Sequence, residues 1–79
     1  MRYETTTRLA PEGALAAAER FFGGEFGLLV GRRGPKEIGF EGGGGHVLVS
    51  ITGEHPTTLE IETREWDAPV TQFMGSLPR

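Results

Sequence analysis

The chain has no cysteine and no asparagine, and it has one lysine, one tryptophan and one tyrosine among its 79 residues. Without thiols there can be no disulfide staple, no thiolate metal site and no cysteine nucleophile, and cysteine usage carries no signal of an oxidising compartment, so cytoplasm is the expected location. Arginine supplies seven of the eight basic residues, Lys36 being the exception. Together with the missing asparagine, this skew points to G+C-rich bacterial coding and accords with the loss of thermolabile amides in thermophiles.

Long apolar runs are also missing. No stretch approaches the roughly 18 apolar residues that span a bilayer, and the start MRYETTTRLAPEG has no signal-peptide core, so a soluble protein without membrane contact is expected. Basic charge is in deficit as well: eleven acids against eight bases leave a net charge of −3. A surface built to neutralise phosphates carries the opposite sign, so nucleic acid is not the expected partner.

At this length, residues 1–79 form one domain, since a second hydrophobic core would not fit. So small a chain leaves much of its surface exposed, and stability gained from a second subunit is an early expectation.

What is present is a series of periodic segments separated by turn signals. Residues 2–9 alternate Tyr3, Thr5, Thr7 and Leu9 with Arg2, Glu4, Thr6 and Arg8, the period of a half-buried strand. Pro11 suits the first turn of a helix, and Leu15, Ala18 and Phe22 share one of its faces; Gly23-Gly24 is the expected stop. Residues 25–33 read as a second strand with Phe26, Leu28 and Val30 inward, and Gly34-Pro35 turns it into a short third strand carrying Ile38 and Phe40.

Residues 46–52 and 57–65 read as two further strands, with Val47, Val49, Ile51, Leu59 and Ile61 inward. Asp67 is the expected N-cap of a last helix that buries Val70, Phe73, Met74 and Leu77 and ends at Pro78.

The expected fold is therefore α+β in the order β-α-β-β-β-β-α, a curved antiparallel sheet with both helices on its apolar face. That element order resembles the TATA-binding-protein half-domain and the smaller helix-grip folds over the whole chain, with no sequence motif behind the likeness. The resemblance to the first would put DNA on the open sheet face. Five glutamates there (Glu4, Glu37, Glu41, Glu60 and Glu62) would repel phosphates, so this implied function fails on the residues.

Several constellations invite a chemical reading. The stretch GFEGGGGHVLV sets Gly42 to Gly45 before a strand. A phosphate loop needs a helix after its glycines and a Lys-Ser/Thr pair at its end; neither is here, so the run is a hairpin connection that tolerates positive φ.

His46 and His55 stand at opposite ends of one strand, about 25 to 30 Å apart along extended chain, so with Glu54 they make no shared metal or acid–base site. Ser50 and Ser76 lack a nucleophile-elbow pattern, and the Glu60/Glu62 pair lies on an open face without a cleft.

Contact residues are the stronger candidates. Leu29 and Leu48 are the apolar exceptions on the outer face and would form a patch if their strands were adjacent; Trp66 is either a staple on the last helix or a partner anchor. Arg32, Arg33 and Lys36 gather around the Gly34-Pro35 turn as the one basic cluster, a candidate anion contact. Phe40, Phe73 and Met74 would line any space for an apolar ligand between the sheet and the last helix.

The leading expectation is a non-catalytic protein-interaction or self-associating module, with a homodimer as its simplest form and no cofactor or metal. The alternatives are a carrier or sensor of a small apolar ligand and, behind it, a nucleic-acid-associated regulator acting through the arginine hairpin.

Overall fold

Alternation along the strands sorts the side chains into a wet face and a dry face, and the computed structural model, which describes Met1–Arg79, follows that division. Its elements are β1 (Arg2–Thr7), α1 (Pro11–Ala18) with a π-helical continuation over Glu19–Glu25, β2 (Leu29–Gly34), β3 (Glu37–Gly42), β4 (Gly45–Gly53), β5 (Thr57–Arg64) and α2 (Asp67–Ser76). All strand pairs are antiparallel, in the order β1-β5-β4-β3-β2. No helix is long and apolar enough to cross a membrane.

This order puts β1 and β2, consecutive strands in the chain, at opposite edges of the sheet. Four inter-strand spacings of about 4.8 Å, roughly 19 Å, separate those edges. The eight residues of α1 and the seven of its continuation, at about 1.5 Å each, supply up to about 22 Å, enough to carry the chain across. The crossing segment buries Ala14, Ala18, Phe21 and Phe22 against Ile38, Phe40, Val47, Val49, Leu59 and Ile61, while α2 adds Val70 and Phe73. The open face keeps the charged residues of the strands apart from Arg33.

Two sequence expectations are corrected at the end of this crossing. The helix runs through Gly23-Gly24 and stops at Gly27, where φ is +69°, a left-handed position that suits glycine. There the Phe26 N–H reaches the Phe21 carbonyl at 3.3 Å and the Leu28 N–H reaches that of Phe22 at 2.9 Å. The widened turn lets the consecutive rings of Phe21 and Phe22 both enter the core, edge-on at 5.0 Å between centroids. In consequence β2 begins at Leu29 and not at residue 25. Phe26 and Val30, expected inside, are each 38% exposed.

The start of α2 differs too. Trp66 occupies the N-cap position, and the Asp67 carboxylate, expected to cap the helix, instead accepts the Tyr3 hydroxyl at 2.8 Å. That bond fastens α2 to β1. Inward threonines near the sheet ends stay satisfied by donating to backbone: Thr7 to Pro78 at 2.6 Å, Thr57 to Leu9 at 2.6 Å and Thr63 to His46 at 2.8 Å.

Candidate functional site

The glycine run that looked like a cradle is a tight hairpin. Gly42 pairs with Gly45, leaving Gly43 and Gly44 as a two-residue turn with φ of +57° and +80°, the two positive values of a type I′ turn. The flanking glycines answer to packing. A Cβ on Gly42 would lie 2.6 Å from Leu28 Cδ2, and one on Gly45 would collide with the Arg64 carbonyl. A left-handed residue at Glu65, φ 77°, turns the chain so that Trp66 lies over this hairpin and its Nε1–H donates to the Gly42 carbonyl at 2.9 Å.

Trp66 is half-buried and meets Phe26 edge-on at 6.0 Å. It thereby connects the hairpin to the segment entering β2. Phe26 also stacks on Phe21 at 5.2 Å, so its base is anchored while its rim stays in water.

β2 is where apolar exposure concentrates. Leu29 is 74% exposed, and apart from Met1 the exposed large apolar side chains of the protein are Phe26, Leu29 and Val30, all at or beside this edge. The opposite edge, β1, carries Arg2, Glu4 and Thr6 at its exposed positions, the usual protection of an unpaired strand. Beside β2, a groove of about 580 Å³ separates the edge from the helical crossing; Ala16, Gly23, Gly24, Leu28 and Val30 line it, with Glu19 and Arg20 on its rim.

A bulge at Gly31 breaks the register between Val30 and Arg32. One extra residue flips the strand's phase. Arg32 therefore goes to the open face, 3.6 Å from Glu37, and Arg33 to the helix face, where it grips both carboxylate oxygens of Glu19 at 2.9 and 3.0 Å. The Arg33 bond holds the Glu19 carboxyl below its ordinary range, and Glu19 in turn raises the Arg33 guanidinium. Lys36 approaches Glu54 at 3.9 Å. The three cations of the expected cluster thus diverge, each toward its own carboxylate.

The two outer leucines do not meet either. β3 lies between their strands, and Leu48 is half-buried with its Cδ1 over Gly39, the bare centre of the open face. A shallow depression of about 480 Å³ opens there between side chains of both signs, Arg32, His46, Glu62 and Arg64 among them.

Phe40 and Phe73 are each 1% exposed, and the ring of Phe22 stands 5.4 Å from one and 5.2 Å from the other, occupying the space between them. Met74 is half-buried at the margin, beside Glu4, Thr5 and Thr6.

His46 faces Glu41 and Arg64 across the open face, while His55 sits in the β4–β5 turn. No three His, Asp or Glu side chains gather at metal-binding distance.

Phe26 and Val30 were missed as surface residues because a period-2 reading sends them inward. The available signal was density: four apolar residues in the five from Phe26 to Val30 exceed what one face of a strand at the edge can bury. No family model matches the chain and no curated protein matches it, so the reading of this edge rests on its geometry.

Proposed function

We propose that this protein is a small, non-catalytic association module of the cytoplasm whose contact surface is the free edge of β2. The observation that carries the reading is the confinement of exposed apolar side chains, Met1 aside, to Phe26, Leu29 and Val30 at or beside one unpaired strand. An unpaired edge offers a row of main-chain donors and acceptors, and apolar side chains beside it turn that row into a pairing surface. The groove toward Gly23 and Gly24 gives a partner's side chains room on the helix face.

Association is favoured over carriage of an apolar ligand because Phe22 occupies the space between Phe40 and Phe73. It is favoured over an anion site because Arg32, Arg33 and Lys36 are each directed to a carboxylate.

Photo-crosslinking in cells tests the reading. A photoreactive residue in place of Val30 is expected to give discrete protein adducts, and one in place of Glu60 on the open face is expected to give none. Adducts at both positions alike, or at neither, would overturn it.

A further inference from the structure

We infer that the partner of β2 is a second copy of this chain, paired antiparallel to it about a two-fold axis at Leu29. The inference rests on the association reading above and deepens it by naming the partner.

The segment Glu25-Phe26-Gly27-Leu28-Leu29-Val30-Gly31-Arg32-Arg33 is complementary to its own reverse. Centred on Leu29, antiparallel pairing sets leucine against leucine, Leu28 against Val30 and Gly27 against Gly31. The Arg32-Arg33 end of each copy then comes to the Glu25-Phe26 end of the other. Outside the ladder, Glu25 then nears the Arg33–Glu19 pair and Phe26 nears Arg32, contacts that favour this register over its neighbours. A shift of the axis toward Arg32 would instead bring like charges together.

The structure sets the limits of this pairing. Gly27, in a left-handed conformation, ends the extended segment on one side, and the bulge at Gly31 ends it on the other. The ladder is therefore confined to Leu28, Leu29 and Val30, with the Leu28 N–H kept by the Phe22 carbonyl and Val30 of each copy facing the other's groove beside Gly23 and Gly24. Each copy uses the same patch, so the contact closes as a dimer and does not propagate into a fibre. So short a ladder belongs to the small, transient class of interfaces, below about 1,200 Å² in total.

The natural chain has no cysteine, so introduced thiols report alone. Leu29→Cys and, on the opposite edge, Thr6→Cys are oxidised over a range of protein concentration, beside sedimentation equilibrium of the unmodified protein. Side chains directly opposite in an antiparallel pair stand about 4.5 to 5.5 Å apart at Cβ, near disulfide reach.

The expected result is a reversible dimer of the unmodified protein, and a covalent dimer from Leu29→Cys forming at least about tenfold faster than from Thr6→Cys. Equal rates, or a monomer at millimolar concentration, overturn the inference. If the protein is monomeric yet the photoreactive residue at Val30 captures another protein, self-pairing falls and the association reading stands. If neither contact is found, both fall.

Discussion

The indole N–H of Trp66 donates to the carbonyl of Gly42 at 2.9 Å, and the indole Cζ2 would stand 2.9 Å from a Cβ added to Gly43. Trp66 thus holds the turn position Gly43 to glycine, while the flanking Gly42 and Gly45 answer to Leu28 and the Arg64 carbonyl. Substitution by alanine is expected to rank accordingly. Gly44→Ala, with open space around it but φ of +80°, should cost about 1 to 2 kcal/mol from the left-handed backbone alone. Gly43→Ala adds a clash with Trp66 and should cost more. Gly45→Ala should cost most, about 3 kcal/mol or beyond, because the Arg64 main chain cannot move aside without breaking β5. Urea titrations of the three variants check the order.

The relocated helix stop makes a paired prediction. Gly24 is helical and a Cβ added there would meet nothing within 4 Å, so Gly24→Ala should stabilise the protein by about 0.5 to 1 kcal/mol. Gly27→Ala must place a side chain at φ +69° and should destabilise it by about 1 kcal/mol. Opposite signs in thermal melts support a helix that ends at Gly27; a large loss from Gly24→Ala would restore the stop expected at Gly23-Gly24. If the groove beside β2 receives a second copy, Gly24→Ala should also weaken dimerisation while it stabilises the monomer.

Tyr3 is the only tyrosine, so alkaline difference absorbance reports it without interference. Its hydroxyl bond to the Asp67 carboxylate, reinforced by partial desolvation, raises its pKa from 10.0. Because the folded value is raised, the stabilising contribution is complete below 10.0 and is lost as pH climbs through the folded value. Asp67→Asn should shift the phenol titration back down toward the free value.

At the acid end, the Arg33 bond depresses the pKa of Glu19 below 4.5. Its contribution is present above 4.5 and fades as pH falls through the lower folded value. Glu19→Gln should therefore melt slightly earlier than the unmodified protein at neutral pH, with the gap closing in acid. Both groups are exposed, so the effect is small and should shrink further in high salt.

Legibility in the sequence followed physical cause. Strands β1, β4 and β5, where one face is dry and one wet, announced themselves through strict alternation, and the element order followed from the short links between them. The entry to β2 did not. Period-2 alternation carries through Phe26, Leu28 and Val30 whether or not the chain is extended there, and it cannot register a π-helical turn that consumes Gly23-Gly24. The bulge at Gly31 was equally hidden, although it decides that Arg32 takes the open face and Arg33 the helix face. For Trp66 the sequence offers a staple on the following helix or a partner anchor, and it hides the contact the indole makes. That contact is to a hairpin two dozen residues earlier in the chain, brought close by the adjacency of β4 and β5.

The proposed association surface is the edge of β2. Amide hydrogen exchange followed residue by residue at low and at high protein concentration tests it most directly. Whichever of the Leu29 and Val30 amides points away from β3 is expected to become slower to exchange as concentration rises, while the Leu28 amide, already bonded to Phe22, and those along β1 keep their rates. Exchange at β2 that ignores concentration, or protection that appears along β1 instead, would contradict it.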